Sequence, residues 1–281
     1  MPVTLIITVY KDYVSLERVL ESVCTQDVVL HQVIIAHDTI DQEINPLLER
    51  SSSRLPIDHI NQQDTGFNKN RILNKAVLAS KNEKLVFIDG DCVLHQKFIS
   101  AHQTCIQKGI FTAGRRLDLD EKTSTLVREK GNFMIQRLRM LKNGTKRIEE
   151  GFYFRLINSP KKPRLLGCNM GWHRQDLEAL NGFDMDYTLP GFGEDTDLEY
   201  RAYRSGMRSK NLRWKAIQYH LHHERPSREQ EISQSKQLFE EKKEIGYFYC
   251  ENGLSTLISK FPHEQYNGTR QILVHRALMN L

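Results

Sequence analysis

Apolar residues fill Val3–Val9 with only Thr4 and Thr8 between them. Such a run predicts a strand buried on both faces. Leu16, Val19, Leu20 and Val23 follow at i, i+3, i+4 and i+7, the stripe of an amphipathic helix. Gln32–Ala36 and Ile57–Ile60 read as the second and third strands, with a short helix over Pro46–Arg50 between them. Gly66 opens a helix whose apolar stripe is Ile72, Leu73, Ala76 and Val77, and Lys84–Ile88 is a fourth strand. This β-α-β-α alternation predicts a mostly parallel sheet with helices on both faces. Ligands of such sheets bind beyond the carboxyl ends of the strands. Thr8–Tyr10, His37–Asp38, Asn61–Gly66 and Asp89–Asp91 are therefore the positions where a ligand is expected.

Further along, Leu126–Leu141 reads as a helix, Asn158–Pro163 as a loop, Trp214–Tyr219 as a strand, and Ser227–Leu281 as polar-surfaced helices for packing or oligomer contact. Residues 121–164 hold twelve Lys/Arg against four Glu, a solvated charged face or a surface for an anionic partner such as membrane headgroups. The 281 residues are 39% hydrophobic and 27% charged, enough for one large α/β core. The net charge of +5 does not point to nucleic acid. Five separated cysteines without a C-x-x-C suggest reduced thiols in the cytoplasm rather than a cysteine zinc site. No apolar run is long enough for a bilayer, and no signal peptide is expected at the N-terminus.

Three constellations carry chemistry. In Lys84-Leu-Val-Phe-Ile-Asp89-Gly-Asp91 a buried strand ends in two carboxylates around a glycine, a pattern suited to a divalent cation with positions left for phosphates. Asp118–Asp120, Asp184–Asp186 and Asp195–Asp197 share the spacing, but only the first caps a strongly apolar strand. The second is Gly193-Glu194-Asp195-Thr-Asp197, at a loop-to-helix junction. Its three carboxylates repel unless a cation offsets them, and one use of such a cluster is a general base beside a metal diphosphate. The third is Tyr219-His220-Leu-His222-His223, where at least one imidazole is expected to face a site. No G-x-G-x-x-G, P-loop or G-x-S-x-G is present, which disfavours dinucleotide oxidoreductases, P-loop enzymes and α/β-hydrolases.

In this order, these residues resemble glycosyltransferase family 2 with the GT-A fold, over roughly residues 3–225. The resemblance is nearest to bacterial chondroitin-polymerase-like and galactosyltransferase-type domains. It implies donor-binding roles for Thr8, Val9 and Tyr10, for Asp38 beneath the uracil (with His37 where relatives carry another aspartate), and for Asp64, Gly66, Asn70, Arg71 and Asn74. It also implies that Asp89 and Gly90 contact the donor, and that Asp91 and His220 hold Mn²⁺ or Mg²⁺, with His222 or His223 as substitutes for His220. Asp195 is the implied general base with Glu194 beside it, and Asn169 belongs to the acceptor side. Trp172 is expected either as an acceptor platform or as a core residue. Arg71 and Lys75, one turn apart, are expected either to face the donor phosphates or sugar or to lie on a solvent-facing helix edge.

The function these features and the resemblance together imply is metal-dependent transfer of a hexose or N-acetylhexosamine from a UDP-sugar to a glycan or lipid-linked saccharide, with inversion implied by the resemblance. A sugar-phosphate nucleotidyltransferase is the alternative enzyme, but it normally carries a Gly-rich basic loop where Tyr10-Lys-Asp-Tyr13 stands. A non-catalytic sugar-nucleotide module would not need Asp89, Asp91, Glu194 and Asp195 together. The expected organisation is a transferase unit over 1–226, with a nucleotide-sugar half over 1–115 and an acceptor half over 116–226, then a helical extension over 227–281. A cytoplasmic enzyme is expected, with the basic 121–164 segment offering contact with the inner membrane face.

Overall fold

The structure is a computed structural model that describes residues 1–130, 144–224 and 226–260. The chain runs β1 (Val3–Val9), α1 (Tyr13–Val23), β2 (Gln32–His37), α2 (Asn45–Ser52), β3 (Ile57–Asn61), α3 (Lys69–Ala79), β4 (Lys84–Asp89) and β5 (Cys92–Leu94). It continues through α4 (Phe98–Cys105), β6 (Ile110–Ala113), β7 (Arg115–Asp118), α5 (Glu121–Lys130), β8 (Met170–His173) and α6 (Arg174–Ala179). The last described elements are α7 (Glu194–Arg204), β9 (Arg208–Asn211), β10 (Ile217–His220), α8 (Glu229–Ile245) and α9 (Leu254–Lys260).

The main sheet has seven strands in the order β3-β2-β1-β4-β8-β6-β9. The first four are parallel, as the alternation predicts. β8 enters antiparallel between β4 and β6, a pairing that no local pattern signals. The two-residue period of the strands builds two cores. Val3, Leu5, Ile7 and Val9 join the Leu16, Val19, Leu20 and Val23 stripe of α1 on one face. Ile6, Ile34, Leu85 and Phe87 join Ile72, Leu73, Ala76 and Val77 of α3 on the other. Burying each of these Val, Leu, Ile and Phe side chains stabilises the fold by roughly 1.5–3 kcal/mol.

A second sheet, β5-β10-β7, decides the chemistry. Its register sets His220 opposite Cys92 on one side and Asp118 on the other. The Leu221 N–H donates to the Asp91 carbonyl at 2.9 Å, which locks the histidine segment to the end of β4. The strand expected over Trp214–Tyr219 is thus shifted to Ile217–His220. Of the helix expected over Leu126–Leu141, only the start falls among the described residues, as the end of α5. The expected C-terminal helices are α8 and α9, and residues 261–281 lie outside the described residues. Among the described residues no helix is long and apolar enough to cross a membrane.

Candidate active site

A cavity of about 570 Å³ opens at the carboxyl ends of the parallel strands. Thr8, Val9 and Tyr10 after β1, Asp38 after β2, Asp64 and Gly66 after β3, and Asp89, Gly90 and Asp91 after β4 all line it. Asp38 is nearly buried and accepts from Gln62 Nε2 at 2.6 Å and from the Asn68 N–H at 3.1 Å. Burial pushes its carboxyl above the usual range, against those two donors. Asp64, at the mouth, accepts from the Tyr10 hydroxyl at 3.0 Å and Lys11 Nζ at 3.3 Å. Gly90 is tied back by a 2.7 Å bond to the Thr8 carbonyl, and a Cβ there would lie 3.1 Å from that oxygen. Thr8 in turn donates to Asp89 Oδ1 at 2.8 Å.

Asp91 meets two imidazoles. His220 Nε2 is 3.2 Å and His223 Nε2 3.4 Å from Asp91 Oδ2. Ligand atoms bound at about 2.1 Å from one cation lie roughly 3.0–3.4 Å apart, so this set fits a divalent ion. Among the described residues it is the one group of three His, Cys, Asp or Glu side chains close enough for that. Asp118 Oδ1 lies 3.6 Å from His220 Nδ1, where an acid orients a ligating imidazole. Burial opposes the charge on Asp91, but His220, the Cys92 thiol and His223 hold its carboxyl well below the usual range. The third histidine, His222, is exposed, and its backbone is held by Ser124 and Arg128.

The other acidic cluster starts α7. Gly193 has φ +123°, and a Cβ there would fall 2.2 Å from the Tyr187 ring, so the turn into the helix requires glycine. Glu194, Asp195 and Asp197 occupy the first turn, where the helix dipole favours negative charge. Each carboxylate has its own compensation. Asp197 pairs with buried Arg201 at 2.7 Å and is structural. Asp195 accepts from the Gly167 N–H at 3.2 Å. Glu194 lies 3.6 Å from Lys69 Nζ. Burial raises the Glu194 carboxyl, with Asp195 and Asp89 adding to it and Lys69 opposing. Lys69 also donates to Asp89 Oδ1 at 2.8 Å, so one ammonium joins the strand-end acids to the helix-start acids.

A family profile described as Glycosyltransferase like family 2 matches residues 1–238. The chain belongs to glycosyltransferase family 2. Its GT-A architecture is shared with solved structures. A chondroitin synthase of Escherichia coli is 24% identical over 272 residues, covering 88% of this chain and 39% of its own. S. aureus TarS residues 1–349, solved with UDP, has TM-score 0.59 at 14% identity, covering 95% of this chain and 74% of TarS. A mannosyltransferase from Pyrobaculum calidifontis, solved with GDP-Man and Mn²⁺, has TM-score 0.54 at 15% identity, covering 81% of this chain and 58% of its own. The chain spans about two fifths of the curated relative's length.

Several residues expected at the site of this family 2 member stand elsewhere. Trp172 is fully buried and stacks on Phe111 with ring centroids 4.6 Å apart, so of its two expected roles the structure assigns the core one. Asn169 is fully buried as well. Its Oδ1 accepts from His102 Nε2 at 3.0 Å, and its Nδ2 donates to the Arg115 and Ala216 carbonyls, cross-linking the two sheets rather than meeting a sugar acceptor. Asn70 and Asn74 point away from the cavity and donate to the Asp184 and Phe183 carbonyls at 2.6 and 2.7 Å, fastening α3 to the loop before α7. Arg71 reaches Gln62 Oε1 at 3.4 Å and Lys75 is buried; neither lines the cavity. The phase of α3 turns Lys69 and Ile72 to the cavity instead. His37 is also internal, between the Tyr13 hydroxyl at 3.0 Å and His59 at 3.3 Å, and burial with the neighbouring His59 lowers its pKa to about 4.

Sequence reasoning missed Lys69 and Asp118 and placed His223 only as a substitute. Lys69 carries a usable signal, a cation at the first position of the helix after Gly66. Asp118 carries none, because its meeting with His220 depends on the β7-β10 register.

Proposed function

We propose that the chain transfers a hexose or N-acetylhexosamine from a UDP-sugar to a saccharide acceptor, inverting the anomeric centre. One observation carries this. Asp89 and Asp91 line the strand-end cavity, Asp91 with His220 and His223 around it, and Lys69 in the cavity wall ties Asp89 to Glu194, the neighbour of Asp195 at the start of α7. A diphosphate donor and an acceptor hydroxyl would thus have chemically distinct partners linked by one ammonium. The bound UDP of TarS and the Mn²⁺ of the mannosyltransferase support the same assignment.

Asp91, His220 and His223 would hold Mn²⁺ or Mg²⁺, whose charge offsets that of the diphosphate as the bond to the anomeric carbon breaks. Asp38 would accept the uracil N–H, with Gln62 and the Asn68 N–H fixing its carboxylate. Asp195 would take the acceptor hydroxyl proton, and Glu194 would orient the sugars. Lys69 keeps the two acidic sets from repelling while it lines the donor cavity. We place this unit over residues 1–226, in the cytoplasm.

Calorimetry with UDP and GDP, with and without Mn²⁺, tests the proposal. UDP should bind in a metal-dependent way and exceed GDP by about tenfold, the worth of one mispaired polar contact. Equal affinity for both nucleotides overturns the role of Asp38, and metal-independent UDP binding overturns the cation site.

A further inference from the structure

The segment between residues 152 and 163 carries chemistry that sugar transfer does not use. Phe154, Leu156 and Ile157 are exposed there, Leu156 by 89%. Large apolar side chains grouped on a surface mark a place where something docks. The segment is held at both ends. The Phe154 N–H donates to the Trp214 carbonyl at 2.9 Å, and the two rings meet edge-on at 6.0 Å. Lys215 Nζ donates to Asn158 Oδ1 at 2.5 Å, and Asn211 Nδ2 to the Lys161 carbonyl at 2.8 Å.

Directly after the apolar residues comes a polar recess of about 310 Å³. Lys161, Lys162 and Lys210 line it with serines, asparagines and prolines, and no carboxylate is among the lining residues. Lys162 is held with its ammonium 3.4 Å from the Tyr203 ring centroid. The recess shares no lining residue with the donor cavity. With Lys162 taken up by Tyr203 and by Glu199 behind it, Lys161 and Lys210 are left to favour an anion in a recess that no carboxylate lines. A soluble anion would leave Leu156 and Ile157 in water. A glycan would stack on aromatic faces but gain little from two aliphatic side chains. A bilayer surface of anionic lipid satisfies both halves, because lysines attract headgroups while apolar residues enter the headgroup–acyl boundary.

We infer that this face docks the protein on anionic lipid membranes, a lipid phosphate entering the Lys161–Lys162–Lys210 recess and Leu156 and Ile157 reaching the acyl boundary. The same segment continues to Gly167, whose N–H donates to Asp195, so docking would set the orientation of the acceptor side to the membrane.

Co-sedimentation of the full chain with phosphatidylcholine vesicles, with and without phosphatidylglycerol, tests this. The wild type should be retained by the anionic vesicles and not by the neutral ones. Leu156→Asp with Ile157→Asp, and separately Lys161→Glu with Lys210→Glu, should each weaken retention by at least about tenfold, since each lysine near the surface contributes on the order of 1 kcal/mol. Thermal melting and UDP binding should match the wild type, showing that both variants are folded. The inference is overturned if anionic vesicles retain no protein, if the aspartate variant is retained as well as wild type, or if the glutamate variant is. A dimer in sedimentation velocity that the aspartate variant breaks, without vesicle retention, would assign the face to a second copy instead.

Discussion

Lys69 donates a 2.8 Å hydrogen bond to Asp89 from the first turn of α3, in a cavity wall where its side chain is only 16% exposed. The same ammonium lies 3.6 Å from Glu194, more than a hundred residues further along the chain. Burial opposes its charge, yet Asp89 and Glu194 lift its pKa well above the usual lysine range, so it remains a cation at every working pH. This contact makes the strand-end acids and the helix-start acids one electrostatic unit.

Lys69→Met should therefore lower the transfer rate by about 10²-fold, the scale seen when one placed electrostatic contact is lost at a reacting centre. It should also weaken UDP binding, because Asp89 loses its partner. Lys69→Arg keeps the charge and should recover part of the rate. Steady-state kinetics alongside UDP calorimetry checks this, and a Met variant with wild-type kinetics would reduce Lys69 to a structural tie.

The three histidines should separate cleanly. His220→Ala and His223→Ala should each reduce Mn²⁺ affinity by at least about tenfold, since even outer-sphere partners of a metal contribute that much. His222→Ala should leave it unchanged, because that side chain lies outside the cluster. Asp118→Asn should fall between the two. Mn²⁺ titration followed by electron paramagnetic resonance reads all four without any turnover.

Asp195→Asn retains the size of the side chain and its place in the first turn of α7 but removes the basic oxygen. The rate should drop by about 10²–10⁴, the usual worth of a general base. UDP affinity should hardly move, because the nucleotide contacts proposed above lie on the strand side of the cavity. Glu194→Gln should act partly through acceptor KM. A rate within about threefold of wild type for Asp195→Asn would move the base elsewhere in the loop before α7.

Stability should depend on pH through His102. Its ring is fully buried between Thr112 Oγ1 at 2.7 Å and Asn169 Oδ1 at 3.0 Å. Burial lowers its pKa from 6.5 to about 4, with Asn169 opposing. Between those values the unfolded chain binds a proton that the native protein does not. The contribution is complete above pH 6.5 and is lost as pH falls toward 4, about 3 kcal/mol in all. His37, also lowered to about 4, acts with the same sign. Urea unfolding across this range should show the decline, and His102→Gln should flatten it while lowering stability at neutral pH.

The local sequence pattern was enough for β1 to β4, α1 and α3, and for the carboxylates at the strand ends. Buried parallel strands are unbroken apolar runs and amphipathic helices repeat their stripe, so neighbours in sequence report these elements directly. The junction before Glu194 was legible for the same reason, since Gly193 and the acids that follow it act within one turn. Tertiary structure alone decided which charges meet. His223 joins Asp91 and His220 because β10 lies between β5 and β7, Lys69 reaches Glu194 because α3 packs near the start of α7, and Trp172 is sealed in the core because β8 enters the sheet between β4 and β6. Those neighbours are tens to more than a hundred residues apart, and the burial and pairing that set their chemistry exist only once the sheets have closed around them.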